Sequence, residues 1–520
     1  MNTCKQTTFI LLTLLLAAVP VTGSDVDVSN YYSIENIETP EAVLGRIDGL
    51  DVTPDGTLVA CFHQAGRIDQ YDPGTKEWSL FAAGLHDPMG VHAPSENEAV
   101  IMQRPELTRI QDTDGDGRAE DYTTLFDDFG MSGNFHELSY GPAVGPDGNY
   151  FVALSTADES EYFDEYRGAF REKGSGPSKM RSNVPYRGWV FRVTPEGTAT
   201  KWASGVRSPN GIFFDDEDRL FYTDNEGDWM GTNKLFHVQK GQFYGHGASL
   251  IWKDGFNAFP WDLPLRKLDR MRTRAAVQFP YGKLNGSITQ PIEDTTGGGF
   301  GPFAGQLLVG DFNNPVIWRV MLEEVAGKLQ GACVPFYEGN NLKRGINRLH
   351  FGPQKDLWVS HTGRDVASWS GTTGLQRISW REKTPPAVRR MSLTDDGFEL
   401  RFTRPLDREI ASDPSSYSFT RFYYEYHVEY GSDRYDEQPV DVQRVEVSDD
   451  GQRVQLHLKE VKPGYLYELH LEDIRTKKGH PLVGNFVTYT VNRLRDGTRA
   501  PAQIPATRKP SDASKTSEKK

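Results

Sequence analysis

A short unit that recurs between residues 49 and 360 constrains the fold more than any other feature of the sequence. Each copy has an apolar stretch, a turn rich in Pro, Asp and Gly, and a second apolar stretch, which is the pattern of two adjacent antiparallel strands. Such a unit can bury its faces only against neighbouring copies, so the six copies predict a six-bladed β-propeller. A β-sandwich of similar length is the alternative. The copies lie at 49–62, 88–102, 140–154, 209–223, 300–311 and 347–360.

The region after Pro385-Pro386 follows a different pattern. Between residues 387 and 494, polar and apolar residues alternate, as in antiparallel sheets with one apolar face. With 51 Gly, 31 Pro and little helical periodicity, the chain is predicted to be all-β. We predict a six-bladed β-propeller at 35–382 and a smaller immunoglobulin-like β-sandwich at 387–494. The aromatic run 419–430 is explained by sheet packing and docking onto the propeller, or by a face that stacks on sugars.

The two ends of the chain are predicted to lie outside these domains. Lys5 precedes the apolar segment 9–19, which is too short to span a bilayer, so residues 1–23 are predicted to be a signal peptide. The protein is then exported, either periplasmic or secreted, with no membrane span. The tail 496–520 is rich in Lys, Ser, Pro and Ala and is predicted to be disordered. A net charge of -14 argues against a nucleic-acid partner.

Three features leave alternatives open. Cys61 and Cys333 form a disulfide or remain two buried free thiols, since sequence does not give their separation. The segment 158–170 has the composition of a short helix within an insertion. The basic cluster RKLDRMRTR at 266–274 attracts an acidic ligand or forms a solvated helix.

The stretch DTDGDGRAED at 112–121 concentrates carboxylates in one turn. Clustered carboxylate oxygens are ligands that Ca²⁺ prefers, and Gly117 matches the glycine of an EF-hand loop. The twelfth position is Thr123 and the flanks read as strands, so the loop is not an EF-hand. We predict a loop-bound Ca²⁺ that braces the connection between the second and third blades, with a metal-free acidic turn as the alternative. The predicted ligands are Asp112, Asp114, Asp116, Glu120 and Asp121.

Two further stretches place reactive side chains beside predicted inner strands. His136 lies just before the third repeat unit and Arg207 just before the fourth, where strands begin near the central channel of a propeller. A hydrogen-bonded structural histidine and an arginine paired with a carboxylate are the alternative interpretations. A compact turn follows the next strand and offers oxygen ligands for a metal, from Asn225, Glu226 and Asp228.

These stretches resemble the glucose/sorbosone dehydrogenase family, six-bladed propellers that include soluble sugar dehydrogenases using pyrroloquinoline quinone (PQQ) and Ca²⁺. The family's catalytic histidine precedes a Gly-Pro-Asp turn, and His136 precedes such a turn, 145–147, at nearly the same spacing. The segment RSPNG at 207–211 resembles the family's R-N-P-x-G, and KGQFYG at 240–245 its K-G-x-x-Y-G. The similarity covers residues 35–380 and is strongest to an exported bacterial branch in which a sandwich follows the propeller.

The resemblance implies oxidation of a sugar or sugar-derived aldehyde by hydride transfer to the quinone. His136 would be the general base, Arg207 would stabilise the reduced quinone oxygen, and the turn around Asn225–Asp228 would hold Ca²⁺. The chain has no CxxCH haem motif, so electrons would pass to a separate acceptor.

The residues expected to hold the tricarboxylate cofactor depart from the family's pattern. Asn313 and Asn314 stand where the family has a lysine, and Arg344 and Arg348 lie near the family's arginine pair without its spacing. Fewer fixed cations weaken the binding of a trianion, because each arginine–carboxylate pair adds charge-assisted hydrogen bonds. The cofactor contacts implied by the resemblance are Arg207, Asn210, Asn313, Arg344 and Arg348.

Two other functions suit the same residues. One is a propeller hydrolase or lactonase in which a central Ca²⁺, held by residues such as Glu226, activates water. The other is a non-catalytic glycan-binding or scaffold protein with the sandwich as its docking module. The departures among the cofactor residues favour these two, whereas His136 and Arg207 favour the oxidoreductase, which we take as the prediction. Its partners would be a small carbohydrate or glycan and the separate electron acceptor.

Overall fold

The computed structural model describes residues 27–43, 45–159, 165–171, 177–256, 259–282, 286–363 and 372–502. The predicted signal peptide, 1–23, lies outside these residues, and so does the part of the predicted tail beyond residue 502. No helix in the described part of the chain has the length and apolar character needed to traverse a lipid bilayer.

Six four-stranded antiparallel sheets form the blades of a propeller. The innermost strands contact one another in succession, and the last contacts the first, so the ring is closed. The fold is therefore all-β, a six-bladed β-propeller followed by a β-sandwich, as predicted. The innermost strands are β2 (Ile47–Val52), β6 (Gly90–Ser95), β11 (Ser139–Val144), β18 (Pro209–Phe214), β23 (Ile288–Glu293) and β27 (Ile346–Phe351).

The outer strands continue each blade, and the sixth blade is completed from the other end of the chain. There β1 (Tyr32–Ile37) pairs with β29 (Gly374–Trp380), so the first strand closes the ring. The other outer strands are β3 (Leu58–Phe62), β4 (Arg67–Asp72), β5 (Glu77–Ala83), β7 (Glu98–Met102), β8 (Leu107–Gln111), β9 (Asp121–Phe126), β12 (Tyr150–Leu154), β16 (Trp189–Val193), β17 (Ala199–Ser204), β19 (Leu220–Asp224), β21 (Asn233–Val238), β22 (Val277–Phe279), β24 (Leu307–Asp311), β25 (Val316–Val325), β26 (Lys328–Glu338) and β28 (Leu357–His361).

The Pro-Asp-Gly turns act as the repeat predicts. In the first, Thr53 N–H donates to the Thr57 carbonyl at 2.9 Å, and Gly56 closes the turn with a φ of 101°, which favours glycine. The second strand of the unit, β3, is buried at all five positions, because both faces of an inner strand lie against neighbouring blades.

Five of the six repeat units form the first two strands of a blade. The fifth prediction is wrong in position: residues 300–306 form turns, and the inner strand of that blade is β23, which lies before them. The sequence pattern predicted a strand at the wrong position because the apolar residues Phe300 and Phe303 pack in the core next to Tyr32 without belonging to a strand.

The sandwich has two four-stranded sheets with an apolar core between them. The alternating segments predict its strands because each strand turns one face inward. One sheet has the order β30 (Val388–Leu393), β31 (Gly397–Phe402), β36 (Arg453–Leu458) and β35 (Val442–Val447). The other has the order β38 (Phe486–Val491), β37 (Tyr465–Leu471), β32 (Tyr417–Tyr423) and β34 (Tyr435–Val440).

Two strand pairings join the sandwich to the propeller. At the first, β26 of the fifth blade pairs with β38, so the two sheets continue as one eight-stranded sheet. At the second, β20 (Asp228–Met230), from the fourth blade, pairs with β33 (Tyr426–Tyr430) of the sandwich. The second pairing inserts part of the aromatic run 419–430 into the propeller, which matches the docking interpretation of that run.

Short elements fill the insertions. The helix predicted over 158–170 lies partly outside the described residues, at 160–164, and the flanking described residues form short strands and turns. The basic cluster forms helix α1, after which Arg272 and Arg274 pair with Asp269. The remaining elements are β10 (Met131–Ser132), β13 (Ala157–Asp158), β14 (Tyr166–Arg167), β15 (Met180–Arg181), α1 (Leu265–Met271), α2 (Arg408–Ser412) and 3₁₀ helices at Val28–Asn30, Glu41–Val43, His63–Ala65, Gly247–Trp252, Pro260–Asp262 and Pro414–Ser416.

The two cysteines are buried free thiols. Cys61 lies in β3 of the first blade and Cys333 in β26 of the fifth. Of the two alternatives, the structure therefore supports the unpaired one.

Candidate active site

A central pocket of about 430 Å³ lies at the end of the propeller where the inner strands begin. Loops before β11, β18 and β23 line one part of it, and loops after β19 and β24 line another. Tyr430, from the sandwich, completes the wall. The charged and hydrogen-bonding residues of the lining, apart from its tyrosines, are His136, Asp158, Lys179, Arg207, Ser208, Asn210, Asn225, Glu226, Ser287, Asn313 and Asn347.

His136 lies in the pocket wall with the geometry of a general base. Its Nδ1 is 3.0 Å from the carbonyl oxygen of Thr156. A carbonyl can only accept a hydrogen bond, so the hydrogen of the neutral ring is assigned to Nδ1 and Nε2 is the basic nitrogen. The Ser208 hydroxyl donates to Nε2 at 3.4 Å. The Ser155 hydroxyl oxygen also lies 3.1 Å from Nδ1, and His136 is 8% exposed.

Arg207 is held in the pocket wall by two carboxylates. Its backbone N–H donates to Asp224 at 2.9 Å, and its guanidinium Nε donates to Asp228 at 2.7 Å. Burial alone would lower the pKa of Arg207, but Asp228, Tyr430 and Glu226 raise it overall. The arginine is therefore a permanent cation, and its ion pair with Asp228 is buried on both sides.

Asp228 is the anchor of this part of the site. Arg207 contacts one carboxylate oxygen of Asp228, Oδ1. The other oxygen, Oδ2, accepts hydrogen bonds from the Ser178 hydroxyl and the Met180 N–H, and it lies 3.2 Å from His246 Nε2. Burial alone would raise the pKa of Asp228, but His246 and Arg207 bring it far below the usual range. Both carboxylate oxygens are thus occupied by protein donors.

The ammonium group of Lys234 already occupies the turn that was predicted to hold Ca²⁺. The Lys234 ammonium donates to the carbonyls of Asn225 and Met230 at 2.8 and 3.3 Å. Together with the Arg207–Asp228 pair, this contact takes up oxygens that a metal would need, and Ca²⁺ requires six to eight oxygen ligands. The donor set at Asn225, Glu226 and Asp228 therefore does not fit a Ca²⁺ ion.

Glu226 is a buried carboxyl at the pocket surface. Burial raises its pKa, while Arg207 and a hydrogen bond from the Tyr430 hydroxyl lower it in part. Burial, and to a smaller extent the neighbouring Glu226 carboxyl, raises the pKa of Tyr281 to about 12. This carboxyl can therefore hold a proton at a higher pH than an exposed glutamate.

Three aromatic rings are exposed at the pocket. Phe135, Tyr281 and Tyr430 are 38%, 42% and 49% exposed, and all three line the cavity. Exposed aromatic side chains that cluster at a cavity mark ligand-binding sites more often than the rest of the protein surface does. With the polar groups below them, the rings form a pocket suited to a molecule that has both apolar faces and hydroxyl groups.

Asn225 also lines this pocket. Its side-chain oxygen Oδ1 is buried and has no hydrogen-bond partner among the described residues. An unpaired buried acceptor destabilises the fold, so this oxygen marks a strained point of the site.

The predicted cofactor residues are brought together only in part. Asn210 and Asn313 line the pocket, as does Arg207. Arg348 is buried behind it, where its guanidinium donates to oxygens of Asn210, Asn347 and Met89. Arg344 is exposed and is not among the described residues that line the pocket.

These positions do not fit a tricarboxylate quinone such as PQQ. The cations of the lining are Arg207 and Lys179, and its carboxylates are Asp158 and Glu226, so the formal charges cancel. Arg207 is moreover engaged with Asp228. A trianion would enter a pocket with no surplus positive charge to compensate its loss of hydration.

The acidic loop lies far from this chemistry, between β8 and β9 within the second blade. The prediction that it braces the connection between the second and third blades is wrong, because Ala119 N–H donates to the Phe81 carbonyl of the first blade. Three of its carboxylates, Asp112, Asp114 and Asp116, have ligand atoms within 4.8 Å of one another and fit a cation. Glu120 instead accepts from the Thr113 N–H, and Asp121 is the first residue of β9.

Sequence reasoning missed several residues of the pocket, among them three aromatic residues and a lysine. Tyr430 belongs to the sandwich, and only the strand pairing of β20 with β33 brings it to the propeller. Phe135 and Tyr281 lie in loops, and Lys179 in an insertion. The aromatic run 419–430 was the one signal in the sequence that could have pointed to Tyr430.

The fold and the pocket together define the class of protein, a six-bladed β-propeller with a polar, aromatic-rimmed central pocket. A sequence family described as "Domain of unknown function (DUF7133)" matches residues 69–247. No curated protein sequence matches the chain.

Several solved structures are similar to the chain at low sequence identity. A putative oxidoreductase (glucose dehydrogenase) from Thermus thermophilus is 18% identical with a TM-score of 0.46, over 67% of this chain and 99% of that one. The PQQ-bound aldose sugar dehydrogenase of Streptomyces coelicolor is 16% identical with a TM-score of 0.44, over 67% and 98%. The apo aldose sugar dehydrogenase of Escherichia coli is 14% identical with a TM-score of 0.44, over 67% and 100%.

Proposed function

We propose that this protein is an oxidoreductase that binds a sugar or sugar-derived aldehyde in the central pocket. His136 accepts the proton of the reacting hydroxyl of the substrate. The observation that carries the proposal is the presence of one base and an aromatic rim in the same pocket. Nδ1 of His136 is tied to the Thr156 carbonyl, which leaves Nε2 as the base. Phe135, Tyr281 and Tyr430 provide the apolar surface on which sugar rings pack.

The chemistry follows from these groups. The reacting hydroxyl belongs to the sugar or to the hydrate of the aldehyde. As His136 Nε2 takes the hydroxyl proton, the carbon that bears this oxygen loses a hydride and a carbonyl forms, which is that of a carboxylic acid when the substrate is an aldehyde hydrate. The charge of Arg207, in the same wall, favours the negative oxygen that develops. Side chains of the pocket do not accept hydride, so the electron pair leaves on a two-electron acceptor of the quinone or dye class. The proton on His136 then returns to water.

Two types of quinone are candidates for the electron acceptor. The resemblance to quinoprotein dehydrogenases implies PQQ, whereas the cancelled charges of the pocket favour an uncharged quinone. An exported location, periplasmic or secreted, also stays a prediction.

A dye-linked assay on the purified mature protein tests the proposal. Aldoses, uronic acids and sugar-derived aldehydes are offered with an uncharged quinone-class acceptor, and in parallel with PQQ and Ca²⁺. We expect dye reduction with at least one sugar, and loss of that activity in His136→Gln. His92→Gln is the matched control, because His92 is not among the described residues that line the pocket. Absence of dye reduction in every arm would refute the oxidoreductase.

One observation favours a second reaction, hydrolysis of a sugar lactone. The Ser208 hydroxyl lies against the basic nitrogen of His136, at 3.4 Å, and a hydroxyl activated by an imidazole is an acyl-transfer nucleophile. Ser208 would attack the lactone carbonyl while its proton moves to His136, the ring oxygen would leave as a hydroxyl, and water would release the acid. Acid release that is lost in Ser208→Ala, without dye reduction in the wild type, would favour this reaction over oxidation.

A further inference from the structure

Lys234 occupies an unusual position for a lysine, at the start of β21, where the ammonium reaches into the loop that joins β19 to β21. It is the second residue of β21 and pairs across the ladder with Asp224. The side chain is 2% exposed, and the ammonium donates to carbonyls on both sides of the loop, those of Asn225 and Met230. The ammonium therefore ties together the two sides of a loop that lines the pocket.

The charges around this loop are nearly balanced without any metal. Three carboxylates, those of Asp224, Glu226 and Asp228, act on Lys234. The Arg207 guanidinium and the Lys234 ammonium, whose pKa burial lowers to about 8, balance two of these charges, and His246 Nε2 donates a hydrogen bond to Asp228. A divalent cation would have to share this space with the Lys234 ammonium, and like charges at such close range repel strongly in a buried site.

We propose that the Lys234 ammonium is the built-in cation of this loop and takes the place of a metal ion there. Lys234 is then a positioning residue: it holds the carbonyl of Asn225 and thereby the pocket-lining side chains of Asn225 and Glu226. The pocket of this protein is consequently assembled without Ca²⁺. The inference concerns the loop itself and holds whether the pocket oxidises sugars or hydrolyses lactones.

The test separates this loop from the acidic loop of the second blade, which has its own cluster of carboxylates. A background variant with Asp112→Asn, Asp114→Asn and Asp116→Asn removes that cluster. Calorimetric titration of this variant with CaCl₂ is expected to show no binding. When Lys234→Met is added, the carbonyls of Asn225 and Met230 lose their cation, and we expect Ca²⁺ binding that the background variant lacks.

Thermal melting gives an independent readout that does not depend on activity. Lys234→Met in the same background is expected to melt at a lower temperature than the background, with part of the loss restored by Ca²⁺. Lys328→Met is the matched control, because Lys328 is an exposed lysine of a propeller hairpin, and its melting temperature should not change. Should Lys234→Met fail to fold in the absence of metal, folding restored by Ca²⁺ supports the inference.

Two results would overturn the inference. One is stoichiometric Ca²⁺ binding to the background variant that is lost on Asp228→Asn, since the loop would then hold a metal beside Lys234. The other is a Lys234→Met variant that melts at the background's temperature with and without Ca²⁺, since the ammonium would then have no structural role.

Discussion

Replacing Asp228 by Asn tests how much of the site depends on one buried carboxylate. Asp228 is 1% exposed and Arg207 is 5% exposed, and the two are joined by a hydrogen bond of 2.7 Å. Asn keeps the size of the side chain and removes its charge. Arg207 cannot shed its own charge, so the substitution leaves a buried cation with no carboxylate in contact at this end.

The expected cost follows from that geometry. Two unit charges 2.7 Å apart attract by ~6 kcal/mol at an effective dielectric constant of ~20. The amide oxygen of Asn still accepts one hydrogen bond, and local relaxation lets water approach the guanidinium. Removal of one partner of a buried pair lowers the free energy of unfolding by about 3–5 kcal/mol, and we expect Asp228→Asn to fall in this range.

Urea unfolding followed by tryptophan fluorescence measures this change, and Trp229 reports locally because its indole N–H donates to Ser178, a neighbour of Asp228. The matched control is Asp147→Asn. Asp147 and Arg192 are also 2.7 Å apart, but their side chains are 48% and 29% exposed. Surface pairs contribute up to about 1 kcal/mol. Equal losses in the two variants would refute the argument that burial makes the Asp228 pair costly to break.

Three further predictions test other parts of the molecule. Tyr430→Phe keeps the ring but removes the hydrogen bond to Glu226, whereas Tyr430→Ala loses the ring as well. Sugar binding measured by calorimetry should therefore weaken less in Tyr430→Phe than in Tyr430→Ala. Equal effects in the two variants would contradict the role of the ring. Asp114→Ala should abolish the rise in melting temperature that Ca²⁺ causes, because Asp114 belongs to the acidic cluster. A wild-type melting temperature that does not change on adding Ca²⁺ would disprove the loop-bound ion. Burial lowers the pKa of His361 to about 3, against 6.5 for an exposed histidine, so the folded state stays neutral while the unfolded chain takes up a proton below pH 6.5. Stability should therefore fall as the pH drops from 6.5 towards 3, by about 2 kcal/mol at pH 5, and His361→Gln should remove this slope; an unchanged slope would assign the pH dependence to other groups.

Much of the fold could be predicted from the sequence because its pattern is local. A Pro-Asp-Gly turn between two apolar stretches specifies a hairpin whatever surrounds it, and Gly56 shows the positive φ that such a turn requires. The fifth unit failed for the same reason: apolar residues near Phe300 mimic a strand, and only packing against Tyr32 decides that they form turns.

The site could be predicted less well. His136 and Arg207 lie beside inner strands, and the propeller brings both to one pocket. Arg348 was expected to contact a cofactor but is not among the described residues that line the pocket, and the carbonyls of Asn210, Asn347 and Met89 satisfy its guanidinium. Spacing along a strand does not reveal which side a long side chain takes.

The sequence by itself determined the repeat, and with it the number of blades and the strands that begin at the channel. Only the tertiary structure decided what fills the pocket. The pairing of β20 with β33 brings Tyr430 to Glu226, although the two residues are 204 positions apart in the chain, and the Lys234 ammonium takes the place at Asn225 where a metal was predicted. The Tyr430–Glu226 and Lys234–Asn225 contacts each join segments with ordinary local sequence patterns. Their properties come from burial and from the proximity of the two groups, and no local sequence pattern encodes these.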